Sequence, residues 1–385
     1  MASPTIGKGP VVVVAGGGYA GLACLITLHG LLRDAELHLL DPGPDHCKLT
    51  CLHKTLQSPL SRYTAPFARL GRKYGFRHHR KALAIDGESL KQWQEAGAIP
   101  VPGGELRFDA LVIATGARPR KLPSGRNVCG QEDFRRRGGK AVLEEFLERT
   151  SPGERHVTVV GGGATGIQFL FELREALRRR RAEGQLRLVD MHGRLLAGMP
   201  EAFHRHVEKK MAGCGIEYLP ETGYRGQSGE TVRLEEVPSG RKYALPSQLT
   251  LLFPGVAPHP LLMQANAFGQ ALCGGEALPD VFAAGDCSVF QGRGLNAQTA
   301  QAALRKGRQV AENIARMTDG RPLREYAYRE LGYFVSLGSC DGVGWLGLKA
   351  NVLRGLPAYA VKEALELQYE AWLAGLDTYR LWPSL

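Results

Sequence analysis

The stretches VVVVAGGGYAG at residues 11–21 and VTVVGGGATG at residues 157–166 decide the fold. Each is a β-branched run, typical of a buried strand, that leads through a glycine-rich turn into a helical pattern. In such a turn the first glycine permits the tight bend, the second lets a pyrophosphate approach the backbone, and the third lets helix pack on strand. These glycines are Gly16, Gly18 and Gly21 in the first copy and Gly161, Gly163 and Gly166 in the second. Two copies predict two bound dinucleotides, each with its phosphates at a helix N-terminus.

An acidic residue follows each copy at the end of the next predicted strand. The strand at 36–40 leads to Asp41, and the strand at 186–189 leads to Asp190. At this point of the fold an acid binds the ribose of the dinucleotide. Asp41 therefore predicts ribose binding by the first unit and Asp190 by the second.

The second acid also indicates which nicotinamide cofactor binds. A carboxylate prefers a free ribose 2′-hydroxyl, so Asp190 favours NADH, and NADPH is the less favoured cofactor. Arg187, His192 and Arg194 lie close enough in sequence to weaken this preference.

Three further apolar strands end in turns, where ligands bind in open α/β sheets. They lie at 108–119, 249–260 and 278–287, and a helical pattern follows at 297–314. The additional cofactor-binding residues predicted from these strand ends and from the start of that helix are Thr115, Gly116, Gly255, Asp286 and Ala300.

Composition narrows the class of protein. The chain has 385 residues and a net charge of +11, without a nucleic-acid-binding motif, so we expect no nucleic-acid partner. Its eight cysteines contain no CxxC pair and predict reduced thiols. No stretch reaches the roughly 18–20 apolar residues of a membrane-spanning helix, and the N-terminus lacks an apolar signal core. A cytoplasmic protein is the expectation, with peripheral attachment to the inner face of a membrane left open.

Taken together, these motifs resemble the two-dinucleotide-fold FAD/NAD(P) oxidoreductases, the pyridine nucleotide-disulfide oxidoreductase-like flavoproteins. GGGYAG with Asp41, ATGARP, GGGATG with Asp190, PGVAPHP and AAGDC occur in the order seen in that superfamily. The resemblance covers almost the whole chain. It implies FAD on the first unit, NADH on the second, and a hydrogen bond from the FAD ribityl chain to Asp286.

The resemblance also implies the domain organisation. The fold class is α/β, with two Rossmann-like domains of which the FAD domain is discontinuous and the NAD domain is inserted. A short C-terminal extension follows. The implied boundaries are 1–122 and 261–330 for FAD, 123–260 for NAD(P)H, and 331–385 for the extension.

Within the superfamily, the chain most resembles type II NADH:quinone oxidoreductases and apoptosis-inducing-factor-like quinone reductases. TAQAALRKG at 299–307, FVSLGSCDGVGWLG at 334–347 and the C-terminal helical region carry this narrower match. A quinone is thus the implied electron acceptor, with Gln168, Gln301 and Lys306 on its side of the flavin. Relatives commonly have Glu where Gln168 stands and Gln where Lys306 stands. An exposed surface lysine is the equally weighted alternative for Lys306.

A second interpretation assigns the chemistry to a thiol. Cys51 stands ten residues after Asp41, the offset of the single redox cysteine in coenzyme A disulfide reductases. Against it, only about 55 residues follow Glu330, too few for the dimerisation domain of those enzymes. If the chain were a sulfide:quinone reductase, Cys129 and Cys340 would form its persulfide pair. A third class of function is a flavoprotein that senses NADH or docks partners. The spacing of the histidines and cysteines predicts no metal site.

The C-terminal helix that begins near Pro357 gathers aromatic residues on one face. Ala358, Val361, Leu365, Tyr369 and Trp372 share that face. Such a face suits a membrane interface. It equally suits packing in a homodimer or against the FAD domain, and these uses stay open at this point.

Overall fold

The computed structural model describes residues 9–120, 123, 126–257 and 262–381. The chain forms two compact units. The described residues of unit 1 fall within 1–47, 64–118 and 257–329, and those of unit 2 within 48–63, 119–256 and 330–385. The domains predicted from the sequence are defined by the cofactor that each one binds. The division into compact units does not test cofactor binding, so those boundaries stay a prediction. In the division into compact units, residues 48–63 and the C-terminal extension belong to unit 2.

The α-helices of the described residues are α1 (Tyr19–Leu31), α2 (Phe67–Tyr74), α3 (Gly87–Ala96), α4 (Gln131–Arg137), α5 (Gly139–Arg149), α6 (Ala164–Arg179), α7 (Glu201–Gly213), α8 (Ala300–Thr318) and α9 (Leu356–Leu373). Short 3₁₀ helices cover Leu49–Leu56, Leu60–Tyr63 and Thr378–Leu381.

The strands of the first part of the chain are β1 (Val11–Ala15), β2 (Glu36–Leu40), β3 (Asp45–Cys47), β4 (Thr64–Pro66), β5 (Phe76–His79), β6 (Ala98–Val101), β7 (Gly104–Arg107), β8 (Ala110–Ile113), β9 (Arg118–Pro119), β10 (Val128–Gly130), β11 (His156–Val160), β12 (Gln185–Val189) and β13 (Glu217–Leu219). The remaining strands are β14 (Thr222–Ser228), β15 (Thr231–Glu236), β16 (Lys242–Pro246), β17 (Leu249–Leu252), β18 (Val256–Ala257), β19 (Met263–Ala265), β20 (Gln270–Cys273), β21 (Glu276–Ala283), β22 (Ser288–Phe290), β23 (Gly332–Ser336), β24 (Gly342–Leu346) and β25 (Leu348–Arg354).

Unit 1 is built on a sheet of eight strands in the order β22-β19-β20-β21-β8-β1-β2-β5. From β21 to β5 the neighbouring strands run parallel. The central strand β1 is buried from Val12 to Val14, as expected for a parallel strand covered on both faces. Helix α8 packs on α1 through Gly307, where a Cβ atom would lie 2.1 Å from the carbonyl oxygen of Ala20. Glycine at this position therefore sets how closely the two helices approach.

Unit 2 is built on a parallel sheet of five strands in the order β10-β17-β11-β12-β13. An apolar cluster joins this sheet to the antiparallel β14-β15-β16 sheet, with Val160, Val189, Val232 and Leu234 among its buried members. A third sheet, β23-β24-β25, carries α9 on its face. The 3₁₀ segment Leu49–Leu56 packs against α5 and α6.

The predicted fold class is confirmed: each glycine-rich turn connects a central parallel strand to the next helix. The strand predicted at 36–40 is β2, and the strand predicted at 186–189 is β12, which begins one residue earlier. These elements are local patterns of apolar residues closed by a turn, so the sequence alone suffices to predict them.

The aromatic face of the C-terminal helix packs inside unit 2. In α9, Tyr369 is 6% exposed and Trp372 is 2% exposed, and Ala358 is buried with them. The helix packs on the β23-β24-β25 sheet of unit 2, a partner that was not among the uses left open by the sequence. These three side chains are therefore not available to a membrane or a second subunit.

Candidate dinucleotide and acceptor sites

The glycine turn of unit 1 has the geometry that a pyrophosphate requires. Gly16 has a φ of 109°, and a Cβ atom there would lie 2.3 Å from the carbonyl oxygen of Ala114. A Cβ at Gly21 would lie 1.8 Å from the carbonyl oxygen of Gly16. Gly18 differs, since it caps α1 and a Cβ there would meet nothing within 4 Å. At the first and third positions, a side chain would clash with the protein's own backbone, so the fold requires glycine there. At the second position, glycine leaves open space beside the helix N-terminus.

The glycine turn of unit 2 repeats this geometry. Gly161 has a φ of 111°, and a Cβ there would lie 2.1 Å from the carbonyl oxygen of Phe253. A Cβ at Gly166 would lie 2.0 Å from the carbonyl oxygen of Gly161, and Gly163, which caps α6, again faces open space. Both turns therefore present backbone N–H groups to an empty volume at a helix N-terminus, the arrangement that binds phosphate.

The two predicted ribose acids are held in the same way. Asp41 accepts hydrogen bonds from the backbone N–H of Gly17 at 2.7 Å and of Gly43 at 2.8 Å. Asp190 accepts from the backbone N–H of Gly162, and from that of His192 at 2.7 Å. Each carboxylate is thereby fixed beside its glycine turn. In each carboxylate, Oδ2 accepts one backbone N–H and keeps a lone pair for a ribose hydroxyl.

The arginines near Asp190 have other partners. Arg187 is buried, and its Nε lies 3.0 Å from Glu217 Oε2 while its Nη1 donates to the carbonyl oxygen of Pro246. Arg194 donates to the carbonyl oxygen of Met199 at 2.8 Å. His192 is the residue of the three that contacts Asp190, with its Nδ1 at 2.9 Å from Oδ1.

Asp286 follows β21 in unit 1 and has a buried carboxylate oxygen without a partner. Among the described residues, its Oδ1 accepts no hydrogen bond. Burial raises the pKa of Asp286 to about 6, against the opposing charge of Lys306. An unsatisfied buried acceptor is costly for a protein, so this atom fits a ligand that donates an O–H group. A ribityl hydroxyl of FAD is such a donor.

Thr115, Gly116 and Gly255 lie at strand ends, as predicted. Thr115 and Gly116 follow β8 in unit 1, and Gly116 has a φ of 72°. Gly255 follows β17 in unit 2 with a φ of 80°, and its carbonyl oxygen accepts from the backbone N–H of Arg120. A Cβ at Gly116 or Gly255 would meet nothing within 4 Å, which leaves room for a ligand near each backbone.

Lys306 is buried, so its interpretation as an exposed surface lysine is wrong. The side chain on α8 is 2% exposed, and its Nζ donates to the carbonyl oxygen of Ser288 at 2.6 Å. It lies 4.8 Å from the centre of the Phe290 ring. Burial lowers the pKa of Lys306 to about 8, opposed by the charges of Cys287 and Asp286. The sequence missed this because the exposed face of a helix depends on which neighbours cover it.

The other predicted residues of α8 lie in its first turn. Ala300 begins the helix, directly after the N-cap Thr299, whose hydroxyl accepts from the N–H of Ala302. Gln301 accepts a hydrogen bond from the Tyr328 hydroxyl at 3.1 Å.

Gln168, in the first turns of α6, belongs to a buried polar cluster of unit 2. Its Nε2 lies 3.2 Å from the ring nitrogens of His53 and 3.3 Å from Ser336 Oγ. Ser336 Oγ also lies 3.3 Å from His53 Nε2. Burial lowers the pKa of His53 well below its usual value, so the ring is neutral at physiological pH. Ser336 was not predicted; only tertiary packing brings β23 to the Leu49–Leu56 segment.

Cys51 lies in a setting that disfavours a thiolate. It is buried, and this burial together with the charge of Glu366 raises its pKa to about 12. The nearby Lys54 pairs with Glu363 and Glu366. Burial likewise raises the pKa of Cys129 to about 11.

A cavity of about 500 Å³ opens in unit 2. Its walls come from the segments 51–63, α6, the end of β23 with the turn after it, and α9. Its lining includes the side chains of Cys51, Lys54, Gln57, Glu172, Ser336 and Glu366. Ser336 connects this cavity to Gln168 and His53.

Ion pairs link the cavity wall of α9 to the Leu49–Leu56 segment. Lys54 Nζ lies 2.6 Å from Glu363 Oε1 and also contacts Glu366. Lys362 contacts Glu366, and Lys48 contacts Glu370. The acids of α9 recur at the spacing of a helix face, which is visible in the sequence, but two of their lysine partners, Lys48 and Lys54, lie some 300 residues away.

Within the described ranges, no group of three or more His, Cys, Asp or Glu side chains is arranged to hold a metal ion. In the same ranges, every helix is too short or too polar to cross a membrane.

Comparison with known proteins confirms the predicted resemblance. Residues 10–307 match the family model of the pyridine nucleotide-disulphide oxidoreductases. The type II NADH:quinone oxidoreductase of Staphylococcus saprophyticus is 23% identical over 402 residues, covering 95% of this chain and 96% of that protein. The enzyme of the same name from Staphylococcus aureus is 24% identical over 370 residues, covering 86% of this chain and 89% of that protein.

Solved structures share the fold. NDH2 from Plasmodium falciparum in complex with NADH superposes with a TM-score of 0.77 at 13% identity, covering 94% of each chain. The sulfide:quinone oxidoreductase of Aquifex aeolicus superposes with a TM-score of 0.76 at 18% identity, covering 96% of this chain and 92% of that one.

Proposed function

We propose that this chain, which belongs to the pyridine nucleotide-disulphide oxidoreductase family, is an FAD-dependent NADH:quinone oxidoreductase. It takes hydride from NADH and passes two electrons to a quinone. The observation that carries the proposal is the duplicated glycine turn, each copy with its own fixed carboxylate, Asp41 and Asp190. Relatives named type II NADH:quinone oxidoreductase, aligned over nearly the whole chain, support the choice of donor and acceptor.

In this proposal unit 1 binds FAD. Gly16, Gly18 and Gly21 receive its pyrophosphate, and Asp41 receives a ribose hydroxyl. The buried unpartnered oxygen of Asp286 accepts from the ribityl chain. Thr115, Gly116 and Ala300 complete the set at the adjoining strand and helix ends. When bound, FAD supplies the two-electron carrier, while the protein supplies position and electrostatics.

Unit 2 binds NADH in the same manner, through Gly161, Gly163 and Gly166, with Asp190 on the ribose and Gly255 nearby. Preference for NADH over NADPH is supported by the state of the neighbouring cations. Arg187 is paired with Glu217, so it is not free to receive a 2′-phosphate. Asp190 would repel that phosphate.

The cavity of unit 2 is the proposed acceptor site. It is roomy enough for a quinone ring, and Ser336 on its wall contacts the acceptor-side candidate Gln168. Gln301 and Lys306 of α8 are the acceptor-side candidates of unit 1. A thiol reductase using Cys51 is disfavoured, because the raised pKa of that thiol keeps it protonated at neutral pH.

Membrane association is proposed through the turn between β24 and β25 rather than through α9. Leu346 and Leu348 are 45% and 74% exposed there, with Lys349 beside them and Arg354 at the end of β25. Apolar residues flanked by cations suit an anionic membrane surface. Leu348→Ser should reduce co-sedimentation with phosphatidylglycerol vesicles. If wild-type protein ignores the vesicles but sedimentation velocity gives a dimer, this surface is a subunit interface instead.

Stopped-flow spectroscopy tests the proposed reaction. Bound flavin should bleach on mixing with NADH, and a short-chain quinone should then restore its absorbance faster than dissolved oxygen does. Reoxidation by quinone no faster than by oxygen would remove the quinone from the proposal. Reduction with NADPH as fast as with NADH would remove the nucleotide preference.

A further inference from the structure

Four glutamates line the cavity of unit 2, and three of them are neutralised by lysines. Glu363 and Glu366 contact Lys54, and Glu370 contacts Lys48. Glu172, on α6, is the exception: among the described residues, no cation lies within ion-pair distance of its carboxylate. Its known partner is the neutral amide of Gln57.

The amide of Gln57 can serve Glu172 in both protonation states. Gln57 Nε2 donates to Glu172 Oε1, while Gln57 Oε1 is buried and has no partner in the described part of the chain. Rotation of the amide by half a turn exchanges its donor and acceptor groups. The same residue then accepts the O–H of a protonated carboxyl through Oε1, which also satisfies that buried oxygen.

Glu172 interacts electrostatically with Lys54 of the 3₁₀ segment, with Glu175 and Arg179 of α6, and with Tyr359 of α9. The other titratable side chains that line the same cavity are Cys51, Arg62, Tyr63, Glu363, Glu366 and Glu370. Burial, with a smaller contribution from the charge of Glu175, raises the pKa of Glu172 to about 7, against the opposing hydrogen bond from Gln57 and the charges of Lys54 and Arg179. Protonated and ionised forms are therefore both populated near neutral pH.

We propose that Glu172 is the proton donor to the acceptor bound in this cavity, an inference that rests on the proposed quinone reductase function. Reduction of a quinone by NADH consumes one proton beyond the transferred hydride. In the proposed step, the O–H bond of Glu172 breaks and an O–H bond forms on the quinone oxygen, which has received the electron pair originating from NADH. The carboxylate then takes a proton from water entering the cavity. Glu172 lies one helical turn after Gln168, so α6 still offers a carboxyl group to the acceptor side.

Glu172→Gln tests the proposal, with two acceptors compared on the FAD-loaded enzyme. A short-chain quinone needs the proton, whereas ferricyanide takes electrons alone. Because positioned proton transfer contributes roughly 10²–10⁴-fold to a rate, kcat with quinone should fall about 10²-fold. The ferricyanide rate should stay at the wild-type value. Glu144→Gln, which removes an exposed carboxylate on α5 outside the cavity, is the charge-matched control and should change neither rate.

The pH dependence and an infrared spectrum give independent readouts. Wild-type kcat with quinone should fall as pH rises through about 7, since the donor must be protonated, and the variant should lack this step. The infrared band of a protonated carboxyl, visible in wild-type protein at pH 6, should weaken in Glu172→Gln even without substrate. Equal loss of the quinone and ferricyanide rates, or an unchanged pH profile, would overturn the role of Glu172. A wild-type enzyme that does not reduce quinone would overturn the proposed function instead.

Discussion

A single unpartnered oxygen, Oδ1 of Asp286, links FAD binding to pH. In the FAD-free protein, burial raises the pKa of this carboxyl to about 6. A ribityl hydroxyl that donates to the carboxylate favours the ionised form, so FAD binding lowers the pKa and releases a proton. Affinity for FAD should therefore rise with pH, and be about tenfold weaker at pH 5 than at pH 7.5.

Quenching of FAD fluorescence on titration with apoprotein measures this dependence. Asp286→Asn should bind FAD more weakly and lose the pH step. Asp319→Asn, at an exposed position after α8, should keep both the affinity and the step. The same pH step in the Asp286 variant would mean that another group takes up the proton.

Cys51 gives the second prediction at the residue scale. Because burial holds its thiol protonated, Cys51→Ser should leave NADH:quinone turnover within about twofold of wild type. The readout is steady-state kinetics with a short-chain quinone, alongside a coenzyme A disulfide assay. Reduction of coenzyme A disulfide by the wild-type enzyme that is lost in the serine variant, with FAD retained, would restore the thiol mechanism.

At the scale of the element, the two glycine turns separate positions needed for folding from those needed for a ligand. Gly21→Ala would drive a Cβ into the carbonyl oxygen of Gly16, only 1.8 Å away, and should cost about 1–3 kcal/mol in the free energy of unfolding of the apoprotein. Gly18→Ala meets open space and should change that free energy by less than about 0.5 kcal/mol. It should nevertheless weaken FAD binding at least about tenfold, since the pyrophosphate needs the same space.

Urea unfolding of the apoproteins and FAD titration of the folded ones distinguish these effects. The equivalent pair in unit 2, Gly166→Ala and Gly163→Ala, should behave alike toward NADH. Wild-type FAD affinity in Gly18→Ala would contradict the assignment of the second glycine to the phosphate.

At the scale of the whole molecule, the sequence predicts features formed by neighbouring residues better than contacts between residues that are far apart in the chain. The strand, turn and acid of each dinucleotide unit lie within about 30 consecutive residues, so pattern and spacing predicted them. The pair of Gln57 with Glu172 spans 115 residues, and that of Lys54 with Glu363 spans 309. Such pairs depend on tertiary packing, which no local periodicity encodes. For the same reason, the burial of Lys306 could not be predicted from its place on a helix.

Lys54 tests how unit 2 joins segments from distant parts of the chain. Its Nζ connects the Leu49–Leu56 segment to Glu363 and Glu366 of α9. Lys54→Gln leaves two poorly exposed carboxylates with one fewer cation, and should lower the free energy of unfolding by about 2 kcal/mol, somewhat below the loss for a fully buried pair. Lys210→Gln, which removes a cation from Asp341 within the same unit, is the matched comparison and leaves His206 on that acid.

The pH dependence of unfolding gives the sign of this contribution. The pKa of Glu366 is lowered in the folded protein by the charges of Lys362 and Lys54, which outweigh its desolvation. Its contribution to stability is therefore present above the pKa of the unfolded chain, near 4.5, and is lost as the pH falls through the lower folded value. Urea unfolding of wild type between about pH 6 and pH 3 should show this loss, and Lys54→Gln should show less of it. Equal slopes in the two proteins would mean that the ion pairs between α9 and the Leu49–Leu56 segment do not stabilise unit 2.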